Sequence, residues 1–239
     1  MGRITYGDTT SQEPLILPTS ADDRPFHPRS RGEAWLYVLP CVWEDLLKIG
    51  ISRDPLARMQ ALHPRYFEFF DLDRGFAVRF DRVQEAQQLE TALRHRLKDH
   101  NAPAPMVIQR RAGGAREWFR GAFAGLKQSA DDWRAAGHDV LDPLRPWVRR
   151  RLEKNAHLLL TWTSMLTTGM LDGAGPPPAG SSMAGLLNVL DAYAALELPL
   201  SRWLPDAMLA WHAHRGGHCP PDAGDCHCLR RNAAVERLN

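Results

Sequence analysis

Apolar positions along the chain change period several times, and each change marks an element. The first regular pattern begins at Ala34. Trp35-Leu36-Tyr37-Val38-Leu39 and Leu46-Leu47-Lys48-Ile49-Gly50-Ile51 are short runs rich in strand formers, a few residues apart, and they predict a hairpin. Asp54-Pro55 is a helix-start signal, an N-cap carboxylate followed by a proline whose φ suits the first turn. Leu56, Met59 and His63 follow at helical spacing, so a short helix is expected from about Pro55 to Leu62. Phe67 to Phe80 alternates around Asp73-Arg74-Gly75 and reads as a third strand or a second hairpin. From Arg82 to His100, Ala86, Leu89, Leu93 and Leu97 recur every three or four residues and predict the clearest helix. Asn101 to Gly114, with Pro103 and Pro105 at one end and Gly113-Gly114 at the other, is a loop. Glu117-Trp118-Phe119 then leads into a helix ending near Gly137.

Beyond that point the pattern is helical throughout. Val148, Leu152, Ala156, Leu159 and Trp162 make one amphipathic face, Leu186, Leu190, Tyr193 and Leu196 a second, and Leu204, Met208 and Trp211 a third. Arg149-Arg150-Arg151 fans over too wide an arc of its helix to meet one phosphate row, and is expected to be a solvated face. The reading is an α+β chain, a small sheet flanked by helices followed by a mainly α-helical C-terminal region. Residues 1–32 lack any apolar period and read as a flexible arm, 33–124 as the sheet domain, 125–211 as the helical region with a proline-rich linker at 173–182, and 212–239 as a His/Cys-rich tail.

Composition narrows the class without selecting a function. The 239 residues, 44% hydrophobic and 24% charged, suit an ordinary globular protein. The formal net charge of +2 names no partner, but residues 31–124 hold 15 Lys+Arg against 12 Asp+Glu, thirteen of the 15 being Arg. The planar guanidinium fork suits phosphate better than an ammonium does. No run reaches the roughly 18 apolar residues of a membrane span. The start has no secretory apolar core, so a cytoplasmic location without membrane contact is expected. Four cysteines, three of them between Cys219 and Cys228, fit a reducing compartment better than a disulfide framework.

One helical position stands out chemically. Glu90 is four residues after Ala86 and three before Leu93, which puts a carboxylate on the apolar stripe. It must either meet a cation or metal there or reach water at the stripe's edge. On a period of two, Tyr37 shares a face with Trp35 and Leu39, and Lys48 with Leu46 and Gly50. Paired strands can therefore set a phenol and an amine side by side on one face of the hairpin.

In order and spacing, Leu36-Tyr37-Val38, Lys48-Ile49-Gly50, Arg58, Leu89-Glu90-Thr91-Ala92-Leu93 and Glu117-Trp118-Phe119 resemble the motifs of the GIY-YIG nuclease superfamily, in its phage and bacterial branch, over residues 35–119. The resemblance implies a DNA endonuclease that hydrolyses phosphodiester bonds with one divalent cation, Mg²⁺ or Mn²⁺. It implies Tyr37 as proton acceptor or water-orienting group, Arg58 as phosphate clamp and Glu90 as the cation's single protein ligand. The sequence departs from the common pattern in having Lys48 where a tyrosine is usual, a lysine that would orient water or bind phosphate. No downstream asparagine has an obvious counterpart, although Glu117 falls nearby. Arg110, Arg111, Arg116 and Arg120 are candidates for tracking a DNA backbone.

Two alternatives stay open at this stage. One is a non-catalytic nucleic-acid-binding module of the same fold with a helical partner-binding region, and the other an interaction protein built on the Trp-rich helices, with a protein partner or a homodimer formed through them. In the tail, Cys219, Cys226 and Cys228 with a histidine such as His218 supply the ligand types of a structural Zn²⁺ site, at a spacing outside the common zinc-finger patterns.

Overall fold

The computed structural model of the chain describes residues 32–108, 114, 116–171 and 181–215. The expected arm, the 173–180 part of the expected linker and nearly all of the His/Cys-rich tail lie outside them. The fold is mixed α and β. Strands β1 (Ala34–Pro40) and β2 (Leu46–Ser52) form the predicted hairpin, and helix α1 (Pro55–Leu62) follows at its predicted bounds. Asp54 caps α1, its Oδ1 accepting from the amides of Leu56 and Ala57.

Next come a helical turn α2 (Tyr66–Phe69), strand β3 (Phe76–Phe80) and helix α3 (Val83–Arg96). The expected strand or hairpin over 67–80 is thus only half strand. Asp71 accepts from the amides of Asp73 and Arg74 and folds the chain into a tight turn ahead of β3. Trp118 to Arg120, read as the approach to a helix, is strand β4 (Trp118–Arg120), and helix α4 runs over Phe123–Ala135. The wholly helical pattern expected after it is broken by strand β5 (Val140–Leu141).

The five strands form one antiparallel sheet in the order β4-β2-β1-β3-β5. One face, the back, is apolar throughout: Leu36, Val38, Leu47, Ile49, Phe76 and Val78 pack under Ala86 and Leu93 of α3 and Leu126 and Ala130 of α4. Helix α4, which runs on past residue 124, therefore packs on the sheet, and β5 is paired into it.

The other face, the front, carries Trp35, Tyr37, Leu39, Ala77 and Trp118, and its core runs on without a break into the C-terminal helices. These are α5 (Arg145–Lys154), α6 (Ala156–Leu171), α7 (Ser181–Ala195) and α8 (Asp206–Arg215). Ion pairs stitch the two halves together, among them Arg145–Asp73 at 2.7 Å and Arg65–Asp191 at 2.5 Å. Two of the three arginines of the run on α5 take part in this, while Arg150 is exposed. Arg149 donates to the Leu196 carbonyl at 2.6 Å beyond the end of α7, and Arg151 pairs with Asp54 at 2.9 Å. Among the described residues no helix is long and apolar enough to cross a membrane.

Candidate functional site

Strand register builds the site. Tyr37 lies opposite Gly50, Leu39 opposite Lys48, and Lys48 opposite Trp118, so Tyr37, Lys48, Gly50 and Trp118 share the front face at the β1–β2–β4 junction. Glycine at position 50 is a matter of space. A Cβ there would stand 2.4 Å from the Tyr37 hydroxyl, so the phenol can lie across the strand only because no side chain rises beneath it.

Lys48 is fully buried on this face. Its Nζ donates to Glu117 Oε2 at 2.5 Å and sits 5.4 Å from the Trp118 ring centroid, a cation over an aromatic face. Burial holds the Lys48 pKa below the usual lysine range, and the adjacent Glu117 carboxylate opposes that pull. Glu117 is placed by its own carbonyl, which accepts from the Ile49 amide at 2.9 Å, and by Gly114. Gly114 has φ +57°, and a Cβ there would stand 2.3 Å from a Glu117 carboxylate oxygen, so both its backbone and its bareness are required.

Tyr37 is equally buried, and burial pushes its phenol up to about 12. Arg58, four residues into the helix capped by Asp54, donates from Nε to the Tyr37 hydroxyl at 3.4 Å and works against that rise. At neutral pH the phenol is therefore protonated.

Glu90 lies on the buried stripe of α3 with Val83, Ala86 and Leu93, which decides between its two sequence readings in favour of burial. Its carboxyl pKa is raised, first by burial and then by the like charge of Glu117. Arg94, one turn on at 3.5 Å, and Lys48 pull it back. A buried carboxylate that feels a second carboxylate attracts a cation. Among the described residues no three His, Cys, Asp or Glu side chains converge as a metal cage. One buried carboxylate with a second within electrostatic reach is a donor set from which a hard ion that keeps most of its waters could take a single protein oxygen.

The structure brings Tyr37, Lys48, Arg58 and Glu90 into one electrostatic neighbourhood and adds Glu117, which the sequence reading left outside the site. Arg116 is exposed beside Glu117. Arg120 pairs with Glu44 of the β1–β2 turn at 2.9 Å and is not gathered toward Lys48. Arg110 and Arg111 lie outside the described residues, as do Cys219, Cys226, Cys228 and His218.

Among known protein families, the T5orf172 domain matches residues 34–134. It is a distinct family of nuclease-like, DNA-binding domains. No match to the GIY-YIG superfamily is found, and the assignment drawn from the five motifs is corrected accordingly. Each of those motifs is only a few residues long, and a hairpin followed by a capped helix supplies much of their spacing by itself. No curated protein and no solved structure matches the chain.

Proposed function

We propose that the sheet domain binds DNA and hydrolyses its phosphodiester backbone, with Tyr37, Lys48, Arg58 and Glu90 as the catalytic residues. The observation that carries this reading is the coupling of a buried phenol, two cations and a buried carboxylate around one strand junction, where apolar side chains would pack at less cost. The T5orf172 match over the same residues supports it.

Arg58 clamps the phosphoryl oxygens from the rim. Tyr37, protonated at neutral pH, orients the attacking water as a neutral hydroxyl and not as a tyrosinate. Lys48, whose pKa burial lowers and the Glu117 carboxylate raises, binds phosphate or orients water, and Glu117 holds it in place. A hard divalent cation, Mg²⁺ or Mn²⁺, bound through Glu90 would supply positive charge to the scissile phosphate and its leaving oxygen.

A second reading, a DNA-binding module without turnover, is favoured by one observation. Tyr37 is 1% and Lys48 0% exposed, so only Arg58 and Glu117 open on the surface. Wild-type, Glu90→Ala and Arg58→Ala proteins incubated with single- and double-stranded DNA in Mg²⁺ or in EDTA separate the two. Cleavage by wild type alone, and only with the metal, is the expected result. Cleavage that survives Glu90→Ala and EDTA would sink the assigned mechanism, and binding without cleavage in any metal would establish the module.

A further inference from the structure

Two carboxylates, Asp142 and Glu90, are buried to nearly the same degree and are met very differently. The Asp142 side chain, 5% exposed, accepts hydrogen bonds from both Lys127 and Arg134 of α4, the second at 2.9 Å. Burial raises its pKa, and the two cations more than undo that rise, so it lies below the usual carboxylate range. The Glu90 side chain, 10% exposed, has one cation beside it. Arg94, one turn further along α3, stands with Nη2 3.5 Å from Glu90 Oε2. That separation makes an ion pair without a hydrogen bond, and among the described residues Glu90 accepts none. Arg94 therefore compensates the burial of Glu90 only in part, where Asp142 is compensated in full.

Arg94 is also free to leave. Its side chain is 36% exposed and lies in the last turn of α3, where the carbonyl end of the helix favours a cation whether or not it touches Glu90. Parting from the carboxylate loses one loose contact and returns the guanidinium to water. A singly charged ion brings Glu90 no more charge than Arg94 already supplies. A divalent ion brings twice as much and repels the guanidinium at close range.

We propose that Arg94 is the provisional counter-ion of Glu90 and selects what replaces it: the guanidinium gives way to a divalent cation and keeps monovalent ions out. This rests on the metal-dependent reading above and adds to it a residue that acts through Glu90, a positioning residue rather than a catalytic one.

Two measurements that do not depend on cleavage test it. In the first, the full chain, freed of metal, is titrated with Mn²⁺ alone and beside a phosphorothioate duplex, with binding followed by water proton relaxation. Wild type should show one site that Glu90→Gln lacks, and Arg94→Met should fill that site at about fivefold lower Mn²⁺. Arg94→Lys, which keeps the charge, should stay nearer to wild type. At one ionic strength, K⁺ should weaken Mn²⁺ binding in Arg94→Met and not in wild type. In the second, the Nε–H resonance of Arg94, assigned by its absence in Arg94→Lys, is followed through Mg²⁺ and K⁺ titrations. It should move with Mg²⁺ and not with K⁺ in wild type, and with neither in Glu90→Gln.

A Glu90-dependent site of unchanged affinity in Arg94→Met, K⁺ that affects both chains alike, or an Arg94 resonance that ignores Mg²⁺ while the site fills would each overturn the exchange and leave the cation reading standing. Absence of any Glu90-dependent site, with or without duplex, would overturn both. The resonance is read on wild type, so the second measurement decides the matter even where Arg94→Met does not fold.

Discussion

The two faces of the same five strands are put to opposite uses. The strand positions of the back are all apolar, Leu36, Val38, Leu47, Ile49, Phe76 and Val78, under two helices, of which α3 brings the buried Glu90. The front, one residue out of phase along each strand, buries Tyr37 and Lys48 beside the same class of apolar neighbour. A sheet needs only its apolar positions to hold together, so the back face shows what stability alone requires. The front departs from it at a buried ammonium, a buried phenol and the bare strand position that lets the phenol lie flat. Burying those groups is costly, and such cost persists where the groups act.

Four substitutions would sharpen or break the contrast. Glu90→Gln keeps the shape of the side chain and removes its charge, and should lower cleavage about 10³-fold or more while the melting temperature holds or rises. Single-turnover cleavage and thermal unfolding on the same preparation check both halves. A variant that loses both together would make Glu90 a structural carboxylate. On the back, Leu36→Ala should cost about 3 kcal/mol by leaving a cavity. The fraction still folded should cut at the wild-type rate, as urea titration with an active-site count would reveal.

Gly50→Ala should cost about 2 kcal/mol, because its methyl meets the Tyr37 ring and the phenol must move. Activity should fall further than folding does, and the added variant Tyr37→Phe/Gly50→Ala, without the clashing hydroxyl, should recover part of the stability. The smallest effect belongs to Arg151→Met, which breaks the ion pair with Asp54 across the two halves. Both groups are some 40% exposed and screened, so about 0.5 kcal/mol is expected.

pH offers a gentler probe of the same contrast. The folded Glu90 carboxyl binds its proton more tightly than an unfolded one, so the native state holds more protons above the ordinary carboxylate range. Its contribution to stability is therefore greatest at low pH and declines as pH rises through the raised folded value. In metal-free buffer, the melting temperature of Glu90→Gln relative to wild type should climb from pH 4.5 upward. A difference that stays flat with pH would mean that Glu90 is not strained by burial.

The hairpin, α1 and α3 were legible in the residues because each carries its own local signal: alternation for the strands, Asp54-Pro55 for the capped helix, and a three-to-four residue stripe for α3. β4 and β5 were not. With 3 and 2 residues they are too short to show a period, and they are strands only because the edges of β2 and β3 supply hydrogen-bonding partners. Arg149 and Arg151 were misread for a related reason, since their partners Leu196 and Asp54 lie 47 and 97 residues away.

The site divides in the same way. Tyr37 and Lys48 on one face, and Glu90 on an apolar stripe, follow from side-chain periods of two and of three to four, and the sequence by itself determined them. The partnership of Glu117 with Lys48, the closure of the front face by the C-terminal helices and the exposure of Met106 and Val107 belong to the tertiary structure alone. Alternation would have sent Glu117 to the face opposite Trp118, but its side chain leaves the strand's rule just where β4 begins. There the backbone is turned by Gly114 and tied to Ile49, and that turn brings the carboxylate round to the buried amine.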